Sequence, residues 1–177
     1  MSFRQIDLSR NHMEVRMSSI TELDYVNISD RASELGCSLP EIAIMPDNFH
    51  LARSRGDLQV GRHAIAARSM FSNACFPLGS FCNSIQASGF GEEDFTHWET
   101  NLFVSASILE REPYVVAVAL SIIENHLADY VASEPERNVR VSFVIEKRDR
   151  SCRKLVYDGN VAGLRTLTHS VHKVANG

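Results

Sequence analysis

The stretch from Pro113 to Gly159 constrains the fold most, because it begins with seven consecutive apolar residues, Tyr114 to Leu120. Proline suits the first turn of a helix, and a helix that is apolar on every side is typical of a protein interior. Polar residues return from Ser121, too early for a membrane span of about 20 apolar residues. We favour a buried helix. Because valine also favours strands, a buried strand is the alternative for the first half.

The second part of this stretch predicts a β-hairpin and a closing helix. Apolar and polar residues alternate from Val139 to Glu146, and more weakly from Cys152 to Tyr157, around a polar turn at 147–151. Apolar residues at three- and four-residue spacing then predict an amphipathic helix. These residues are Val161, Leu164, Leu167, Val171 and Val174. The C-terminal part is therefore predicted to be helix–strand–strand–helix.

The rest of the chain predicts further elements of both types. Short apolar runs predict buried, central strands at 41–45 and 102–109, and apolar stripes predict helices at 21–35 and 60–75, with an edge strand at 13–17. The predicted fold is α/β or α+β, a mixed sheet of about five strands with helices packed on it, and with the hairpin near an edge. Residues 1–177 are expected to form a single globular domain, whose one candidate linker or mobile loop is 81–100.

Composition sets the expected class of protein. The hydrophobic fraction of 44% and the charged fraction of 23% are ordinary for a globular chain. No N-terminal apolar run resembles a signal peptide, so we expect a cytoplasmic protein without membrane contact. The cysteines lack metal-site spacing, and reduced thiols in or near the core are expected. They are Cys37, Cys75, Cys82 and Cys152. No cofactor and no metal site are predicted.

The charge is unevenly distributed along the chain. Residues 81–137 carry 2 Lys or Arg against 10 Asp or Glu, and residues 138–177 carry 8 against 3. Such segregation can steer partners, so the acidic loop and the basic hairpin supply candidate partner-binding residues. The candidates are Glu92, Glu93, Asp94, Arg148, Arg150, Arg153 and Lys154. Two solvated faces of opposite sign, or a basic edge that blocks strand aggregation, explain the same residues.

Polar residues at predicted strand ends are the candidates for catalysis. Asp47 and Asn48 follow one strand, Ser105 and Ser107 end a second, and Glu146 ends a third. If these strands are parallel, the residues meet at the carboxyl edge, where open α/β sheets bind ligands. Asp47-Asn48 fits a turn or a helix cap equally well. The sequence contains no P-loop, no G-x-G-x-x-G and no H-E-x-x-H motif.

Three segments carry a resemblance to known sequences. They are Leu39 to Phe49, Leu102 to Ile108, and the hairpin that closes on Tyr157-Asp158-Gly159. These segments resemble small uncharacterised bacterial proteins of conflict or mobile-element operons. The resemblance covers about half of the chain and transfers no functional residue.

Three functional hypotheses remain open from the sequence. The first is a non-enzymatic protein-interaction or regulatory subunit of a bacterial-type cytosolic system, whose acidic middle contacts a basic partner or a second copy. The second is a small hydrolase or nucleotide-binding enzyme with its site near Asp47 and Ser107. The third is nucleic-acid contact through the basic hairpin, against which a pI near 6.0 argues.

Overall fold

A computed structural model of the chain describes residues 18–82, 86–87, 98–132 and 137–177. The strands are β1 (Ser19–Tyr25), β2 (Ile42–Ile44), β3 (Gln59–Val60), β4 (Gln86–Ala87), β5 (Trp98–Val104), β6 (Val139–Glu146) and β7 (Cys152–Gly159). Five of them form a mixed sheet in the order β1-β7-β6-β5-β2, and β3 pairs with β4 in a separate parallel ribbon. The mixed sheet with packed helices is as the sequence predicted.

In the described part of the chain, five α-helices accompany the strands. They are α1 (Ile28–Glu34), α2 (Arg62–Asn73), α3 (Ala106–Arg111), α4 (Val115–Ala132) and α5 (Thr166–Asn176), with 3₁₀ turns at Arg55–Asp57 and Val161–Arg165. The predicted α4, hairpin and closing helix are all present. No helix within the described ranges is long and apolar enough to cross a membrane.

The alternation of side chains along β6 explains why the sheet carries a hydrophobic core on each face. Val141 and Phe143 point to one face, where they join the larger core formed with α2, α4 and α5. Val144 points to the other face, where it joins a smaller core with α1 and the 45–58 segment. In the order β1-β7-β6-β5-β2, β6 is the middle strand and β7 is its neighbour, so the predicted position of the hairpin near an edge is wrong.

The strand predicted at 41–45 is an edge strand, not a central one. Among the described strands, β2 pairs only with β5, antiparallel, with Ile42 opposite Val104 and Ile44 opposite Leu102. Its apolar composition reflects burial by segments other than strands. One such segment passes at Gly79, whose N–H donates to the carbonyl of Ile42 at 2.8 Å. The apolar composition of β2 therefore predicted its burial correctly but its position in the sheet incorrectly.

Several element boundaries differ from prediction, and two of the differences have a clear cause. The helix predicted at 21–35 begins only at Ile28, because Asn27 caps it by accepting the N–H of Asp30 at 3.0 Å, and the preceding residues form β1. The strand predicted at 102–109 ends at Val104, where Ser105 caps α3. The predicted strand at 13–17 lies outside the described residues. Most of 81–100 does too, although 98–100 begin β5.

The expectation of four reduced cysteines is wrong for one pair. Cys37 and Cys82 form a disulfide across a separation of 45 residues, within the smaller core. Cys152 is a buried free thiol and Cys75 is an exposed one. Sequence spacing did not indicate this pair, because the two cysteines meet only after the segment from 76 to 82 has packed along β2.

Candidate functional site

The predicted catalytic residues do not meet in one place. Since β2 is antiparallel to β5, the N–H of Ser105 donates to the carbonyl of Glu41 at 2.8 Å, before β2 begins. Asp47 lies beyond the other end of β2 and accepts a hydrogen bond from Asn101 at 3.4 Å. From Glu41 to Asp47 the extended chain covers about 20 Å. A single site that uses Asp47 together with Ser107 is therefore not formed.

Asn48 acts as a structural turn residue. Its side-chain Nδ2 donates to the carbonyl of Asp57 at 2.7 Å, and its Oδ1 accepts the N–H of Gln59 at 2.9 Å. The amide thus closes the loop between β2 and β3 from both sides. At a third place, the carboxylate of Glu146 accepts a hydrogen bond from the Ser29 hydroxyl at 3.0 Å, which ties α1 to β6.

Ser105 and Ser107 belong to a polar cluster at the start of α3. The Ser105 hydroxyl accepts the N–H of Ile108 at 3.3 Å and lies 2.9 Å from the Ser107 hydroxyl. Ser107 donates to Glu41 at 3.3 Å, and Arg111 holds the same carboxylate with two hydrogen bonds of 2.9 and 2.6 Å. The hydrogen bonds from Arg111 keep the pKa of Glu41 below its usual value.

This cluster is better suited to holding α3 in place than to catalysis. A general base needs a pKa near the working pH, whereas the pKa of Glu41 is lowered by Arg111. Ser105 is buried and serves as the cap of α3. The cluster fixes the first turn of α3 against the start of β2, and it thereby forms one end of a groove.

The groove has a volume of about 780 Å³ and lies between the start of β2, residues 74–79, α3 and the first half of α4. We call it the α3–α4 groove. Its walls are mainly apolar, with a few charged groups at the rim, as is typical of a binding site. The apolar lining includes Ile42, Phe76, Leu78, Ile108, Val118 and Ile122. Its rim carries Glu41, Arg111 and Glu112.

Two residues of the apolar run are exposed at this groove. Tyr114 is 77% exposed and Val118 is 47% exposed, whereas Ala119 and Ile123, on the same helix, are fully buried. The prediction that this helix would be buried on all sides is therefore wrong for one strip of its surface. An apolar strip that faces a groove rather than the core is typical of an interaction site.

The opposite wall of the groove, residues 74–79, packs closely against α2 and Pro40. Cys75 leaves α2 in the left-handed region, with φ of 53°, and the Phe76 ring packs 5.1 Å from that of Phe71. Gly79 passes so close to Pro40 that a Cβ atom there would clash with the Pro40 ring. The free thiol of Cys75 lines the groove and is solvent-exposed.

The candidate partner-binding residues of the hairpin do not share one surface. Arg148 pairs with Glu110, and Arg153 pairs with Asp24 and, at 3.7 Å, with Glu22. Lys154, the next residue, projects from the other face of the sheet because successive side chains of a strand alternate. Arg150 is exposed in the turn, with φ of 66°. The acidic candidates, Glu92, Glu93 and Asp94, lie outside the described residues.

No protein family, characterised protein or solved structure matches the chain in comparisons of sequence and fold. Within the described ranges, no three His, Cys, Asp or Glu side chains form a group able to hold a metal ion. The α3–α4 groove is therefore the feature of the molecule from which its function is inferred.

Proposed function

We propose that the chain is a non-enzymatic protein-interaction subunit that holds an apolar segment of a partner protein in the α3–α4 groove. The observation that carries this proposal is the exposure of Tyr114 and Val118 along a groove of about 780 Å³. Burial of a partner's apolar side chains there would favour binding by about 25 cal/mol per Å² of apolar surface removed from water.

The charges at the rim favour a partner segment that also carries Lys or Arg. Arg111 is neutralised by Glu41, and Glu112 forms no direct ion pair with any described residue. The rim therefore has one unbalanced negative charge. A basic residue of the partner, beside its bound apolar side chains, would complement this negative charge, whereas an acidic residue there would be repelled.

The proposal is tested by selecting partners from a peptide library displayed on phage, with the full chain as bait. Enriched peptides are expected to combine spaced apolar residues with Lys or Arg. The Val118→Glu variant should bind them at least about tenfold more weakly, which corresponds to about 1.4 kcal/mol. The matched control is Leu51→Glu, because Leu51 is 70% exposed and does not line the groove.

Cys75 provides a second readout for the same experiment. It is the exposed free thiol of the chain and lines the groove, so a bound peptide should slow its reaction with a thiol reagent. Peptides that bind Val118→Glu as well as the wild type, or that leave the Cys75 reaction rate unchanged, would refute groove binding.

Cytoplasmic location, self-association and a bacterial conflict or mobile-element context stay predictions. A disulfide such as Cys37–Cys82 is typical of proteins from oxidising compartments, so it weighs against the first of these. Nucleic-acid contact through the hairpin has weaker support, because Arg148 and Arg153 are occupied by carboxylates and Lys154 lies on the opposite sheet face.

A further inference from the structure

The apolar strip that α4 presents to the α3–α4 groove has the spacing of a helix ridge. Its members, Tyr114, Val118 and Ile122, all line the groove, and each is four residues from the next. Tyr114 precedes α4, but its carbonyl accepts the N–H of Val118 at 3.0 Å, so it stands one turn before Val118. The strip therefore extends for about 12 Å along the helix axis. Side chains at four-residue spacing form the ridges that pack into the grooves of a second helix.

The wall opposite this strip has no free backbone donor for an extended segment. Within residues 74–79 every N–H group donates to a carbonyl of this chain, and Pro77 has none to donate. The acceptors are the carbonyls of Met70, Ser72, Phe71, Phe76 and Ile42, at 2.8 to 3.0 Å. Gly79 also bridges Ala43, so it occupies the edge of β2 that faces away from β5.

The bonding of this wall decides between two modes of peptide recognition. An extended peptide binds mainly through main-chain hydrogen bonds to a free strand edge. The described walls of the groove offer no such edge, so the carbonyls of an extended segment buried there would lack donors. A helix satisfies its own backbone groups and presents only side chains. The groove is therefore suited to a helical segment.

The charge at the rim gives a bound helix a direction. Glu112 lies two residues before Tyr114, at the start of the apolar strip, and Arg111 beside it is held by Glu41. Lys and Arg are favoured in the last turn of a helix, where the helix dipole is negative. A basic last turn beside Glu112 places the C-terminal end of the bound helix at the start of α4. The two helices then run in opposite directions.

We propose, building on the function proposed above, that the occupant of the α3–α4 groove is an amphipathic helix of a partner protein with Lys or Arg in its last turn. Its apolar side chains, at three- and four-residue spacing, would pack between the apolar strip of α4 and the side chains of Phe76 and Leu78. Its basic side chain would pair with Glu112. The polar face of the helix would stay in water.

The conformation of the occupant is tested with two peptide libraries on phage, with the full chain as bait. One library fixes apolar residues at three- and four-residue spacing over 15 positions, and the other alternates apolar and polar residues. The helical library should give the binders. Enrichment of the alternating library alone would overturn the helix and leave binding of an apolar segment standing. Failure of both libraries would overturn this proposal and the proposed function together.

Synthetic copies of the enriched peptides show whether the bound form is a helix. Peptides of this length are marginal helices in water, so their helical NMR shifts should appear only with the full chain present. A proline at the central position should weaken binding by at least about tenfold, because it breaks a helix. A bound peptide without helical shifts, or one that tolerates the proline, contradicts the proposal.

The direction of the helix is tested by reversal of charge. Glu112→Lys should weaken binding of a peptide with Lys in its last turn by about fivefold, and Glu at that peptide position should restore it. Glu99→Lys is the matched control, because Glu99 is exposed and does not line the groove. Tighter binding of a peptide with Lys in its first turn would show that the helix runs parallel to α4.

Contact along the whole strip is tested at its two ends. Tyr114→Ala and Ile122→Ala should each lower the affinity of the selected peptide by at least about fivefold. Ile65→Ala is the control, because Ile65 is exposed on α2 and does not line the groove. Loss at one end alone would mean that the segment does not lie along α4. Light scattering of the free chain covers the remaining occupant: an assembly that Val118→Glu dissolves would identify a second copy and overturn the proposal.

Discussion

Glu41 and Arg111 form a bidentate ion pair between the residue before β2 and the last residue of α3, with N–O distances of 2.9 and 2.6 Å. The pair is exposed, so its contribution to stability is small. Its structural effect is larger, because it fixes one end of the α3–α4 groove and neutralises Arg111, which leaves Glu112 as the unbalanced charge of the rim.

Removal of Arg111 should raise the pKa of Glu41 toward the usual value for glutamate, because the hydrogen bonds that lower it are lost. In the wild type, the stabilising effect of this pair is present above the unfolded-state pKa and is lost as pH falls through the lowered folded-state pKa. NMR titration of the Glu41 carboxyl group in wild type and Arg111→Met measures the change. Arg148→Met, which breaks the pair with Glu110, is the control and should leave the Glu41 titration unchanged.

Substitution to alanine should change the free energy of unfolding by different amounts on the two sides of α4. Ile123→Ala empties a fully buried position in the larger core and should cost about 2–5 kcal/mol of unfolding free energy. Val118→Ala, at the exposed groove strip, should change stability by no more than about 0.5 kcal/mol. Denaturant unfolding of both variants provides the measurement. A large loss at Val118 would mean that the groove is packed in solution.

Gly163 should tolerate no side chain, because a Cβ atom there would clash with the hydroxyl of Tyr157. That hydroxyl donates to the carbonyl of Asn160 at 2.6 Å and closes the 3₁₀ turn after β7. Gly163→Ala is expected to cost about 1–3 kcal/mol in denaturant unfolding. Gly56→Ala is the control, since the nearest atom to its Cβ would be at an ordinary 3.7 Å. Tyr157→Phe should recover part of the loss if the hydroxyl is the obstacle.

Loss of the Cys37–Cys82 disulfide should destabilise the chain by about 2–4 kcal/mol, because the crosslink restricts the unfolded state across 45 residues. The melting temperature of the wild type should fall on addition of a reductant, and that of the Cys37→Ala, Cys82→Ala double variant should not. Cys75→Ser, at an exposed free thiol, should behave like the wild type. A wild-type protein indifferent to reductant would instead match the reduced thiols expected from the sequence.

The elements that the sequence predicted well are those with strong local patterns. The alternation from Val139 to Glu146, which only Val144 interrupts, and the apolar stripe from Val161 to Val174 each indicate one buried face. β6 and the closing helix could therefore be identified without knowledge of their neighbours. The first part of the helix predicted at 21–35, from Thr21 to Tyr25, is a strand in the structure. Pairing with β7, which is distant in sequence, makes it a strand.

The grouping of residues at the candidate site depends more on tertiary structure than the helices and strands themselves do. Local patterns in the sequence were enough to predict the alternation of strands and helices, the buried face of α4 and the polar residues at strand ends. Strand order and direction depend on contacts between distant segments. The antiparallel pairing of β2 with β5 separated Asp47 from Ser107, whereas the parallel pairing of β5 with β6 placed Asn101 opposite Ser142. Since neither periodicity nor spacing encodes which strands pair, only the folded chain could decide which polar groups share a site.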